Sequence, residues 1–195
     1  MPDWNVVIPV KGTVSAKSRL GGSPELALAI ALDTVAAALA AANVLVVTSP
    51  STAAAFESLG ARVVHDTDAG LTAAIAQGIA TAGSGPVAVL LGDVPALQPH
   101  ELAAAFELAA QHPLAFVPDA DNDGTVLITA LTAADHRPAF GVHSRAAHLA
   151  AGYVELVIPL DWGLRRDVDT TAQLAALSFR VGPHTSAALS TRTLR

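Results

Sequence analysis

At 195 residues and 52% hydrophobic content, the chain can bury one sizeable core and is short enough to form a single domain. Its 17 Asp and Glu against 11 Lys and Arg give a formal net charge of -6, which repels nucleic-acid backbones and anionic membranes. Cysteine is absent, which excludes disulfides and thiolate metal sites and leaves carboxylates, histidines and phosphate oxygens as available ligands.

The start, Met-Pro-Asp-Trp, carries no basic region ahead of an apolar stretch, so no secretory signal is expected and a cytoplasmic location is the expectation. Val6 to Val10 reads as the first strand, apolar throughout as parallel strands buried on both faces are. The loop after it, in VVIPVKGTVSAKSRL, holds the only two lysines, Lys11 and Lys17, together with Arg19. Positive charge after a buried strand suits an anion, because open α/β sheets bind ligands at the carboxyl ends of their strands; a solvated loop would account for the same residues. Ser23, Pro24 and Glu25 then form a helix start with N-cap, first-turn proline and first-turn acid. Leu26 to Ala42 is largely apolar, but Asp33 and Thr34 interrupt it, so a core helix is expected there and not a membrane span.

Further strands are expected at Val44–Thr48, Ala61–His65 and Val87–Leu91, alternating with helices near Ser51–Leu59, Leu71–Thr81 and Pro99–Gln111. That order predicts an α/β class: a Rossmann-like three-layer α/β/α fold with a mostly parallel, mixed central sheet. The second half is less regular. Strands are expected at Leu114–Val117, Thr125–Leu131 and Tyr153–Ile158, with helices at Ser144–Ala151 and from about Thr170. Residues 1–182 form the expected domain, and the Ser/Thr/Ala-rich 183–195 a loosely held C-terminal tail.

Several motifs fail. A P-loop ending at Lys17-Ser18 would need glycine at positions 11 and 16, where Lys11 and Ala16 stand. No G-x-G-x-x-G follows the first strand. Asp119-Ala120-Asp121-Asn122-Asp123-Gly124 imitates the start of an EF-hand loop, but Ala130 occupies the position of the bidentate acid, so a polar turn is expected. The seven histidines show no zinc-ligand spacing. What survives is a pair of acids. Gly92-Asp93-Val94-Pro95 delivers Asp93 at the carboxyl end of a buried strand, where it can hold a divalent cation or cap a turn. In Asp167-Val168-Asp169-Thr170-Thr171-Ala172-Gln173, Thr170 and Gln173 have capping-box spacing, which draws Asp169 into the turn and leaves Asp167 as the metal candidate.

Lys11 and Lys17 in VKGTVSAKSRL, GDVPAL at Gly92 to Leu97, Gly124-Thr125, Phe140-Gly141-Val142-His143-Ser144 with His148, and Asp167-Val168-Asp169-Thr170 occur in one order. Together, across roughly Val6 to Leu174, they resemble the CofC/FbiD guanylyltransferases of deazaflavin coenzyme F-420 biosynthesis, within the MobA-like nucleotidyltransferase superfamily. The resemblance implies GMP transfer from GTP to the phosphate of a small phospho-acid, with release of pyrophosphate. Phosphoenolpyruvate is favoured as acceptor over 2-phospho-L-lactate and 3-phosphoglycerate because the alanine-rich composition suits a high-GC actinobacterium. The resemblance places acceptor binding on Thr125, Gly141 and Ser144 and Mg2+ on Asp93 and Asp167. Lys11, Lys17 and Arg19 are then the nucleotide side, with Lys17 also catalytic. A helix beginning near Ser144 would turn free N–H groups toward the acceptor phosphate. A downstream transferase of the same pathway is the implied partner.

The chain departs from the family pattern at Gly21-Gly22-Ser23-Pro24, where the stretch after Ser-Arg-Leu is short, and at Thr72 and Val126, where asparagine is usual. Alternatives are another MobA-like nucleotidyltransferase, acting on a sugar phosphate or molybdopterin, and a non-catalytic ligand-binding module on the same scaffold.

Overall fold

The computed structural model describes residues 3–10, 23–177 and 179–193. Seven strands form one sheet: β1 (Asn5–Pro9), β2 (Asn43–Thr48), β3 (Arg62–His65), β4 (Val87–Leu90), β5 (Leu114–Pro118), β6 (Thr125–Ala130) and β7 (Val154–Glu155). Their order is β3-β2-β1-β4-β6-β5-β7. The pairs β1–β2, β1–β4, β2–β3 and β5–β7 are parallel, while β6 runs antiparallel to both β4 and β5. The expected mostly parallel, mixed sheet is therefore what forms.

Alternation along the strands sorts the side chains into two apolar layers. Val6, Ile8, Val44, Val46, Ala88 and Leu90 pack with Val35, Phe56, Leu102 and Phe106 of α1 (Pro24–Leu39), α2 (Pro50–Glu57) and α4 (Pro99–Ala109). Val7, Leu45, Val47, Val89, Phe116 and Ile128 face Ala74 and Ile75 of α3 (Leu71–Ala82), with Tyr153. Each fully buried Leu, Ile, Val or Phe contributes about 1.5–3 kcal/mol, so these two layers supply most of the folding free energy. Helix α1 starts as its sequence predicts: the Leu26 N–H donates to Ser23 Oγ at 3.3 Å.

Two expectations on the C-terminal side differ from what forms. Strand β7 is two residues long where six are expected, because it pairs only with Ala115 and Phe116 of β5. Beyond Leu156 the chain leaves the sheet, and Val157 is 92% exposed. Where a loosely held tail is expected, residues Pro183–Thr193 form a helix. This helix, α7, follows the short helices α5 (Ser144–Ala150) and α6 (Thr171–Ala176). Asp33, buried in α1, fixes the start of α7 by accepting the N–H groups of His184 and Thr185 at 3.0 and 2.8 Å. Ala188 and Leu189 pack beside a small core of Leu26, Ile30, Ala96, Val168, Leu174 and Leu177. No helix among the described residues is long and apolar enough to cross a membrane.

Candidate active site

The parallel strands all end at one edge of the sheet, and antiparallel β6 begins there. Thr125 at the start of β6 consequently lies beside the end of β4: Leu90 pairs with Leu127, and the Leu91 N–H donates to the Val126 carbonyl at 2.9 Å. Asp93 follows two residues later, half-buried. The next residue, Val94, donates its N–H to Thr34 Oγ1 at 3.2 Å, while that hydroxyl donates to the Ile30 carbonyl at 3.1 Å. The polar pair that breaks the apolar run of α1 thus has two tasks: Thr34 anchors the turn after Asp93, and Asp33 caps α7.

Asp167 arrives from the opposite end of the chain. The Val168 N–H donates to the Asp93 carbonyl at 2.9 Å, which ties the two acidic segments together. The segment leading to Asp167 is held from below by Glu101, itself 2% exposed. Its carboxylate accepts the N–H groups of Gly163 and Leu164 at 3.0 Å each, and that of Gln98 at 3.2 Å. Gly163 lies directly against the Ala96 carbonyl, so a Cβ there would collide with backbone. Glu101 gives no sign of this role in the sequence, because a first-turn helix acid is ordinarily explained by the dipole alone. Thr170 and Gln173 form the expected capping box, with the Asp169 and Thr170 N–H groups on Gln173 Oε1 at 2.9 Å each; Asp169 is exposed.

The donor set suits a hard divalent cation. Two carboxylates on stitched loops at a strand edge match the way magnesium is held, by one or two acids plus water and substrate phosphates. Among the described residues no group of three or more His, Asp or Glu side chains could cage a metal without such help.

The acceptor candidates gather beside this edge. The Asp119–Gly124 run is a polar turn, as expected: Asp119 Oδ1 and Oδ2 accept the N–H groups of Asp123 and Gly124 at 3.1 and 2.8 Å. Arg165, 4% exposed, braces it by donating from Nη2 to the Asp119 carbonyl at 2.8 Å and to Asn122 Oδ1 at 2.6 Å. Burial lowers the Arg165 pKa, with Glu155 and Asp119 pulling it back up. Asp123 in turn accepts from His143 Nδ1 at 2.7 Å. Gly141, at φ 131°, and His143, at φ 57°, bend the Phe140–Ser144 loop sharply.

Two of the first-turn N–H groups expected to be free for an acceptor phosphate have partners in the protein. The Ser144 N–H already donates to the Gly141 carbonyl at 3.2 Å and the Arg145 N–H to the Asp123 carbonyl at 3.1 Å. The N–H groups of Ser144 and Arg145 are therefore engaged within the protein and do not face an anion.

His148 connects the three acceptor candidates. Its Nδ1 is 2.9 Å from Thr125 Oγ1, and its Nε2 accepts the Ala139 N–H at 3.0 Å. Phe140 and Tyr153 meet the ring edge-on at 5.2 and 5.3 Å between centroids. Burial drives the His148 pKa down to about 4, against a weaker upward pull from the Ser144 carbonyl. Behind it, His136 Nε2 donates to the Val87 carbonyl at 2.9 Å and Tyr153 donates to His136 Nδ1 at 3.1 Å. His136 is likewise shifted down by burial. Lys11, Lys17 and Arg19 lie outside the described residues. Thr72 is an exposed residue in the first turn of α3. Val126 is fully buried in the core on the α1 side, which accounts for an apolar residue at that position.

The sequence profile of the MobA-like NTP transferase domain matches residues 18–156. The chain belongs to that family. This MobA-like nucleotidyltransferase is an enzyme by the company it keeps. A Streptomyces avermitilis protein named phosphoenolpyruvate guanylyltransferase is 48% identical, covering 95% of this chain and 93% of its own. A Salinispora arenicola protein of the same name is 48% identical over 94% of this chain and 92% of its own. The fold recurs at 19% identity in a nucleotidyl transferase from Methanothermobacter, with a TM-score of 0.63 over 90% of this chain and 95% of that one. It recurs again in a Mycobacterium tuberculosis protein solved in complex with manganese, at 16% identity and a TM-score of 0.58 over 91% and 98%.

Proposed function

We propose that this chain transfers the guanylyl group of GTP to the phosphate of phosphoenolpyruvate and releases pyrophosphate, in the cytoplasm, as a step of coenzyme F-420 biosynthesis. The observation that carries the reading is near-half identity, over almost the whole chain, to proteins named phosphoenolpyruvate guanylyltransferase.

An oxygen of the acceptor phosphate attacks the α-phosphorus of GTP, the bond from that phosphorus to the bridging oxygen breaks, and the electron pair leaves with pyrophosphate. A phosphate monoester near neutrality is largely dianionic, so the attacking oxygen needs no general base. The difficulty is bringing two anions together, and catalysis is mainly alignment and charge neutralisation. Asp93 and Asp167 would hold Mg2+, which when bound supplies positive charge to the phosphate oxygens of both substrates. Lys11, Lys17 and Arg19 serve the triphosphate, and Thr125, Gly141 and Ser144 the acceptor. The product is a phosphoanhydride joining GMP to the acid, an activated species that a downstream transferase must consume.

The test is pyrophosphate release with GTP against phosphoenolpyruvate, 2-phospho-L-lactate and 3-phosphoglycerate in parallel, followed by ATP and CTP with the best acceptor. The expected result is a clear preference for GTP with phosphoenolpyruvate. Equal rates with ATP would refute guanine selectivity, and silence with all three acids would refute the acceptor class.

A further inference from the structure

The two nitrogens of the buried His148 ring have different partners, and one of them leaves no freedom. The Ala139 N–H can only donate, so His148 Nε2, 3.0 Å away, must present its lone pair. A neutral imidazole with Nε2 unprotonated carries its hydrogen on Nδ1. The atom 2.9 Å from Nδ1 is Thr125 Oγ1, which therefore accepts. Once the hydroxyl has accepted from His148, its own hydrogen is not used in that bond. The opposite tautomer would consume the hydroxyl hydrogen and turn only lone pairs outward, toward an anion.

We propose that His148 is a positioning residue for acceptor recognition: held as the Nδ1–H tautomer by the Ala139 N–H, it makes the Thr125 hydroxyl a hydrogen-bond donor to the acceptor anion. The inference rests on the acceptor assignment under Proposed function. It adds a reason for the buried apparatus behind the site. His148 has 0% exposure and cannot touch substrate, yet it sits in α5 four residues after Ser144, bonds Thr125 and anchors the backbone two residues before Gly141. Phe116, Phe140 and Tyr153 surround its ring, with centroids 6.0, 5.2 and 5.3 Å away, and hold its plane. Tyr153 is held in turn: its hydroxyl accepts the Arg137 N–H at 2.8 Å and donates to His136.

The experiment combines kinetics with ring-nitrogen NMR. In His148→Phe, which keeps a ring and removes both polar contacts, KM for phosphoenolpyruvate should rise about tenfold or more, as expected for losing one donor to an anion. KM for GTP should stay within about twofold. Thr125→Val should give a similar split, and the double variant should be no worse than the weaker single, because both remove one contact. His148→Asn, whose amide can donate from near the Nδ1 position, should recover much of the loss and also covers failure of His148→Phe to fold. Equal rises in both KM values, or additive losses in the double variant, would overturn the proposal. Nitrogen-15 spectra of the wild-type protein should show the His148 proton on Nδ1; a proton on Nε2 would overturn it whatever the kinetics. That arm needs no turnover, so it fails or succeeds separately from the guanylyltransferase reading, which falls if the wild-type protein is inert toward GTP and phosphoenolpyruvate.

Discussion

Replacing Glu101 with Gln exchanges one buried carboxylate oxygen for an NH2 group and should cost both stability and turnover. The native carboxylate accepts three backbone N–H groups, from Gly163 and Leu164 at 3.0 Å and Gln98 at 3.2 Å, with one oxygen serving Gly163 and the other serving the remaining pair. An amide keeps one acceptor and turns an NH2 toward donors on the other side. One or two charge-assisted bonds are lost, each worth about 1.5–3 kcal/mol, and the orphaned N–H groups stay buried. The expected loss is about 3–5 kcal/mol, a large part of the roughly 5–15 kcal/mol that holds a domain together. At about 2–4 °C per kcal/mol for a chain of this size, Tm should fall by around 10 °C in a far-UV melt. Gly163 and Leu164 lead directly to Asp167, so pyrophosphate release measured well below the new Tm should fall as well, even though Glu101 touches no substrate. A variant with Tm within about 2 °C of wild type and unchanged turnover would refute the idea that Glu101 holds the Asp167 segment in place.

Asp93→Asn and Asp167→Asn should each abolish pyrophosphate release while leaving the far-UV spectrum unchanged; turnover at the wild-type rate in either would remove that acid from the metal site. Asp33→Ala should release the start of α7, with about 0.5–2 kcal/mol lost through the missing cap and faster amide exchange from His184 onward. Stability should decline as pH falls from 6.5 toward 4. His148 has a folded pKa of about 4 against 6.5 when unfolded, so in that window the unfolded chain binds more protons and folding weakens by up to about 3 kcal/mol. His136 is shifted the same way, so denaturant titrations of His148→Phe should show a shallower acid decline and not a flat one.

Much of the sheet is legible in the sequence because β1, β2 and β4 are covered on both faces, and burial of that kind writes itself as an unbroken apolar run. Strand β7 is less legible for the complementary reason. Tyr153 to Ile158 has the composition of a strand, but only Val154 and Glu155 find ladder partners, and Pro159 ends the stretch. Helix α7 escapes notice because its own residues are Ser- and Thr-rich; what makes it a helix is Asp33, about 150 positions earlier in the chain, accepting its first N–H groups. The acids of the candidate site are visible because a carboxylate after a buried strand is unusual on its face. Their supports are not, since Thr34 and Glu101 act across 60 or more residues and read locally as an ordinary helix threonine and a first-turn acid.

The antiparallel β6 is what would make the proposed two-anion site feasible on this scaffold. In a purely parallel sheet the residue beside the end of β4 would be another strand end, separated from its neighbour by a helical crossover. Reversing β6 puts the beginning of a strand there, so a short polar turn, Asp119–Gly124, leads straight into Thr125 beside β4, the strand that precedes Asp93. The same turn reaches α5 through the Asp123 carbonyl on the Arg145 N–H and the Asp123 carboxylate on His143. One loop thereby joins the segments that carry the proposed acceptor groups, while the Val168–Asp93 bond joins those that carry the proposed metal acids. The two halves of the proposed site meet through neighbouring strands of one sheet, which is the pre-organisation that the proposed reaction, with its alignment of charges of the same sign, would require.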